Sequence, residues 1–170
     1  LVERSCYDEV VEIARRAAEA TVVGNPEEEG DHIGPLFDQI QFDRVQNMIQ
    51  VGIDEGANLI VGGMGRPEGF ETGWFVRPTI FADVDNTMRI AREEIFGPVL
   101  AIIPFDTEEE AVAIANDTPY GLAAYVQTGS AERAARMSRS LRAGAVHING
   151  GAYEYGSPFG GYKASGNGRE

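Results

Sequence analysis

VLAIIPFDTEEEAVAIANDTPYGLAAYVQTGSAERAARMSRSLRAGAVHI, running from Val99 to Ile148, decides the fold. It opens on Val99-Leu100-Ala101-Ile102-Ile103, a continuous apolar run rich in β-branched residues. That is the pattern of a strand covered on both faces. Thr107-Glu108-Glu109-Glu110 then starts a helix. Thr107 and Glu110 have capping-box spacing, and the acids suit the positive end of a helix. This helix ends near Asn116, ahead of Pro119. Leu122 to Val126 reads as a strand, Ser130 to Leu141 as a helix, and Ala145-Val146-His147-Ile148 as the next strand. Strand, helix, strand, helix, strand with short connections predicts an α/β layered domain with a largely parallel sheet. Ligands on such sheets bind beyond the carboxyl ends of the strands, which singles out the loops after Val126 and Ile148.

Upstream, Tyr7 to Ala20 has a helical apolar face of Val10, Val11, Ala14, Ala17 and Ala18. Gly24-Asn25-Pro26 breaks it, and Glu27-Glu28-Glu29-Gly30-Asp31 follows as a solvated acidic loop. A second helix covers Gln39 to Glu55, with Phe42, Val45, Met48 and Ile49 inward and Gly56 as its C-terminal cap. Asn58 to Gly62 is a short strand, and Gly62-Gly63-Met64-Gly65 is a turn without phosphate-loop spacing. Phe75 to Phe81 is a further strand, in which Pro78 predicts an edge position or a bulge. Thr87 to Glu94 is a short helix.

The chain has 170 residues, enough for one domain of ordinary size or two very small ones. Lys plus Arg is 14 against 27 for Asp plus Glu, a formal charge of −13. Such a balance argues against general nucleic-acid or membrane-surface binding, and no apolar run is long enough to span a bilayer. A single cysteine excludes an internal disulfide framework. The expected setting is the cytoplasm. The chain begins on apolar Leu1-Val2 and stops inside a glycine-rich loop, so we expect a piece of a longer protein.

Two strings offer chemistry. Arg92-Glu93-Glu94-Ile95-Phe96-Gly97-Pro98-Val99 places a carboxylate two residues from an aromatic ring, before a rigid Gly-Pro turn. A carboxylate accepts two hydrogen bonds from a ribose cis-diol, and a ring packs on a flat heterocycle. Read otherwise, it is a helix end with two solvated glutamates and a core phenylalanine. Asn149 to Ser165 is a long loop whose Tyr153, Tyr155 and Phe159 offer walls for an apolar pocket, or simply pack on one another. His32 and His147 lie far apart, and no cluster has metal-ligand spacing, so no metal site is expected. Cys6 is flanked by acids, a setting that favours the inert thiol.

Taken together, the strings resemble the NAD(P)-dependent aldehyde dehydrogenases. Arg92 to Val99 is similar to that family's glutamate-phenylalanine motif, and Ser157 to Ser165 to its Pro-Phe-Gly-Gly-x-Lys-x-Ser-Gly segment. Gly24-Asn25-Pro26, Gly34-Pro35-Leu36, Arg77-Pro78-Thr79, Asn116 to Leu122 and Gly144-Ala145-Val146 follow the family's order. The resemblance covers essentially the whole chain and implies part of the C-terminal catalytic domain, residues 1–170. It implies a three-layer α/β domain with a largely parallel sheet flanked by helices. It implies oxidation of a small-molecule aldehyde to an acid with NAD or NADP, in an enzyme that is a homodimer or homotetramer at full length. By the same resemblance the nucleophilic cysteine and the general-base glutamate lie upstream, so no catalytic residue is in this chain and the fragment alone is inactive. Glu94 matches the nicotinamide-ribose ligand and Phe96 the ring beside the nicotinamide. Gln41 and Arg44 match positions near the adenosine ribose, where the family often has Lys in place of Arg44. Tyr153 and Tyr155 fall in the loop that shapes the aldehyde pocket, and Phe159 matches a pocket aromatic. A non-catalytic relative that keeps the fold, or a CoA-acylating semialdehyde dehydrogenase, are the other readings.

Overall fold

The structure is a computed structural model that describes residues 1–151 and 156–170. The chain forms two compact units, Leu1–Asp106 and Thr107–Glu170.

In the first unit a short strand β1 (Val2–Glu3) leads through a single 3-10 turn into helix α1 (Tyr7–Ala20). Helix α2 (Gln39–Asp54) follows, its N-terminus capped by Asp38, whose carboxylate accepts the Gln41 N–H at 2.8 Å. Strands β2 (Asn58–Val61), β3 (Thr79–Ala82) and β4 (Val99–Ala101) form a sheet in the order β2-β3-β4. β3 runs antiparallel to β2 and parallel to β4. A one-turn helix α3 (Arg89–Arg92) lies between β3 and β4, and β5 (Pro104–Phe105) pairs parallel with β1.

β3 alternates between two layers. Phe81, 0% exposed, packs with Phe42, Val45 and Ile49 of α2. Ile80 and Ala82 face the other way, into a cluster with Tyr7, Val11 and Ala14 of α1. The unit is therefore three-layered, with a helix on each face of the sheet. Tyr7 fastens the layers: its buried hydroxyl accepts the Asp83 N–H at 2.6 Å and donates to the Ile102 carbonyl at 3.3 Å.

The strand covered on both faces is thus β3 and not Val99 to Ile103, whose Leu100 is 49% exposed. Pro78 was expected to mark an edge or a bulge. It stands just before β3, where its missing N–H breaks no ladder, and the irregularity falls on the partner strand between Leu59 and Val61. The strand accordingly begins at Thr79, not at Phe75, and the helix expected over Thr87 to Glu94 shrinks to Arg89–Arg92.

In the second unit helix α4 (Glu108–Asn116) begins on Thr107, whose hydroxyl accepts the Glu110 N–H at 3.1 Å as the capping pattern requires. Strand β6 (Ala123–Val126), helix α5 (Ala131–Ser140) and strand β7 (Ala145–Ile148) make a β-α-β crossover whose two strands pair in parallel. Ser130 caps α5 through the Arg133 N–H. Three of the four strand pairings among the described residues are parallel, which agrees with the α/β expectation.

Candidate functional site

The Glu93–Gly97 segment leaves α3 and runs as an irregular strap past the first turns of α2. Its two acids differ. Glu93 is taken by Arg89, with an N–O distance of 2.7 Å, and that guanidinium holds its carboxyl below the usual carboxylate range. Glu94 is exposed, and no side chain among the described residues bonds its carboxylate. Ile95 turns inward to the core, 9% exposed. Phe96 turns outward, 69% exposed, with its backbone at φ 61°. A left-handed aromatic residue is uncommon and strained, and such residues concentrate where a ligand is held.

α2 reaches this strap with three side chains. Gln41 donates from Nε2 to the carbonyls of Ile95 at 3.1 Å and Phe96 at 2.7 Å. Arg44 donates from Nη2 to the Glu94 carbonyl at 2.6 Å. Val45, fully buried, lies against Gly97: a Cβ on Gly97 would stand 2.7 Å from Val45 Cγ2. The structure thus brings together all four residues expected to touch the cofactor: Gln41, Arg44, Glu94 and Phe96. It gives the bonding groups of Gln41 and Arg44 to the strap's backbone. The sequence alone did not single out Gly97 as a contact point or Asp38 as the cap that sets Gln41 in place. An Asp immediately before an apolar-periodic run was the available signal for the cap.

The substrate-pocket expectations fall elsewhere. Tyr153 and Tyr155 lie outside the described residues. Phe159, in the second unit, is 53% exposed and exchanges backbone hydrogen bonds with Glu170 at 3.0 and 2.9 Å. The string around it has a structural role that its sequence does not announce. Lys163 Nζ donates to the carbonyls of Asn116 at 2.8 Å and Thr118 at 3.0 Å, and the Ser165 hydroxyl accepts the Gly121 N–H at 3.1 Å. A Cβ on Gly144 would land on the Gly160 carbonyl oxygen, so the loop also lies backbone to backbone against the start of β7. The Lys-x-Ser of that string is a clamp on the end of α4. His147 is half-buried and stacks on Tyr125, with ring centroids 4.8 Å apart, as a structural histidine does.

Cys6 is exposed; its thiol donates to the Glu3 carbonyl at 3.4 Å. Among the described residues no group of three or more His, Cys, Asp or Glu could hold a metal ion, and no helix is long and apolar enough to cross a membrane.

A sequence profile described as "Aldehyde dehydrogenase family" matches residues 1–170. A 3-succinoylsemialdehyde-pyridine dehydrogenase of a Pseudomonas species is 54% identical over 170 residues, which are all of this chain and 36% of the relative. An aldehyde dehydrogenase structure from Bartonella henselae superposes with a TM-score of 0.97 at 50% identity, covering 99% of this chain and 35% of that one. A mutant aldehyde dehydrogenase C from Pseudomonas syringae, in complex with NAD+ and octanal, superposes at 0.96 with 53% identity, again over 99% and 35%. The chain spans about a third of the length of the proteins it matches.

Proposed function

The chain belongs to the aldehyde dehydrogenase family, and from that membership we propose that it is the C-terminal part of the catalytic domain of an enzyme oxidising an aldehyde to a carboxylic acid with NAD or NADP. The observation that carries the reading is the strap. Glu94 offers an exposed carboxylate with no side-chain partner among the described residues, and two residues on Phe96 offers an outward ring in a strained backbone. These groups fit the nicotinamide end of the cofactor. The carboxylate accepts both hydroxyls of the ribose diol, and the ring packs on the flat heterocycle. Gln41 and Arg44 belong to the same cofactor site. When bound, the cofactor supplies the hydride acceptor that aldehyde oxidation needs.

The nucleophilic cysteine and the general-base glutamate lie outside this chain in this reading. Cys6 does not serve, because it sits on an exposed turn between Glu3 and Asp8 with its thiol on a backbone carbonyl. Tyr153, Tyr155 and Phe159 shape the aldehyde pocket. The relatives point to unlike aldehydes, one named for a pyridine-bearing semialdehyde and one holding octanal, so the proposal is the aldehyde class. The intact enzyme is a cytoplasmic homodimer or homotetramer that binds neither nucleic acid nor membranes.

Two preparations test this. The intact enzyme, given short aliphatic, long aliphatic or aromatic aldehydes with NAD+ or NADP+, should form acid and reduced cofactor in equal amounts. The isolated 170-residue chain should form neither. Cofactor-dependent turnover by the isolated chain that Cys6→Ala abolishes would promote Cys6 to nucleophile and overturn the reading.

A further inference from the structure

Gln41, Arg44 and Val45 stand at spacings of three and four along α2 and so share one face of its first turns. The strap lies on that face at three points. Arg44 holds the Glu94 carbonyl, Gln41 holds the Ile95 and Phe96 carbonyls, and Val45 packs against Gly97. The left-handed turn at Phe96 explains why one amide serves two successive carbonyls. Extended backbone points successive carbonyls to opposite sides, whereas a helical conformation of either hand points them the same way. With Phe96 at φ 61°, both carbonyls turn toward α2, where both N–H groups of Gln41 Nε2 are waiting. The same turn leaves the ring facing outward. Gly97 completes the fit, because any side chain there would strike both branches of a valine that is fully buried and cannot move aside.

Resting on the reading of Glu94 and Phe96 given above, we propose that Gln41, Arg44 and Val45 form a seat that positions the strap. Gln41 and Arg44 then act on the cofactor through the strap, as positioning residues, and not as ligands of its adenosine end. Arg44 is well suited to such a role, because its fork keeps a fixed donor direction toward one carbonyl, where the lysine common in the family would offer a mobile point charge.

The test uses the intact enzyme and the variants Gln41→Ala, Arg44→Met and Glu94→Gln. Three quantities are read: hydrogen exchange of peptides covering residues 94–97 without cofactor, the NAD+ dissociation constant, and the single-turnover rate of hydride transfer at saturation. For Gln41→Ala we expect exchange about tenfold faster, since local opening is what the seat suppresses. Hydride transfer should be about 10- to 100-fold slower, the effect of misplacing a reacting group by a fraction of its size. Affinity should change by less than about threefold. Arg44→Met should act in the same direction more weakly. Its side chain is exposed, so it carries the test alone if Gln41→Ala fails to fold. Weakened affinity with unchanged exchange and hydride rate would make both residues adenosine ligands and overturn the seat. Faster exchange with an unchanged hydride rate would reduce the seat to a packing feature and overturn it equally. Glu94→Gln separates the two levels. If it slows hydride transfer while Gln41→Ala and Arg44→Met do not, only the seat falls. If it leaves hydride transfer unchanged, the reading beneath the seat falls as well.

Discussion

Phe96 runs against two preferences of an aromatic residue at once, being left-handed and 69% exposed. The backbone conformation costs about 1–2 kcal/mol, and leaving the ring in water forgoes a further ~2 kcal/mol of burial. Both are accounted for if the ring's partner is a ligand. The variant Phe96→Gly separates strain from function. Glycine relieves the left-handed backbone and raises the entropy of the unfolded chain by a comparable amount, so stability should stay within about 1 kcal/mol of the parent. Hydride transfer in the intact enzyme should fall at least about tenfold. Denaturant melts and single-turnover absorbance check the two halves, and a stability loss well beyond that range would make the ring a packing residue. At this scale the sequence told part of the story. Glu94 and Phe96 were legible because two chemically distinct residues sit two apart ahead of Gly97-Pro98. The bonds from Gln41 and Arg44 were not. They run from side chain to backbone carbonyl across separations of 54, 55 and 50 residues and leave no periodic trace.

Among the elements, α1, α2, α4 and α5 fall within a residue or so of the ranges their sequences predict, because each carries an apolar face and three of them a side-chain cap, whereas α3, without a cap, shrinks to one turn. Thr107, Ser130 and Asp38 all cap as their residue types suggest. The roles of β3 and β4 were exchanged. Continuous hydrophobicity made Val99 to Ile103 look doubly covered, yet Thr79–Ala82, with Pro78 before it and Thr79 inside it, is the strand buried on both faces. Thr79 hides its polarity locally: its hydroxyl donates to the Arg77 carbonyl at 2.8 Å and accepts the Gly63 N–H at 3.1 Å. Nothing in apolar patterning reports such a bond. The helices of the second unit are joined by a paired contact that is testable by pH. Arg136 grips both oxygens of Glu108 at 2.7 and 2.9 Å, linking α5 to α4. That hydrogen-bonded guanidinium holds the Glu108 carboxyl below its ordinary range. A depressed folded-state pKa contributes stability above the unfolded value, and the contribution is lost as pH falls through the folded value. Arg136→Met should therefore be less stable than the parent near neutrality. The gap should close as pH falls from about 6 to about 3. Thermal melts across that range check it, and a gap independent of pH would mean that the pair contributes nothing through charge.

For the whole molecule, the family followed from an ordered set of short motifs spread from Gly24 to Gly166, and the profile match over residues 1–170 agrees. The fold explains why that order is informative. Several of the motifs are places where one segment must fit another. Gly97 lies on Val45, Gly144 on Gly160, and Lys163 and Ser165 on Asn116 to Gly121. Charge at this scale, 27 acids against 14 bases, bears on partners and not on the fold. The central claim is that the strap on α2 holds the nicotinamide end of NAD(P) during aldehyde oxidation. Single-turnover hydride transfer in the intact enzyme, parent against Glu94→Gln, with cofactor and aldehyde saturating, tests it most directly. The amide keeps the size of the side chain and loses the charged acceptor for the ribose diol. A charge-assisted hydrogen bond contributes about 1.5–3 kcal/mol, so the variant should transfer hydride roughly 10- to 100-fold more slowly. A rate equal to the parent's would contradict the account and return Glu94 to a solvated residue at a helix end.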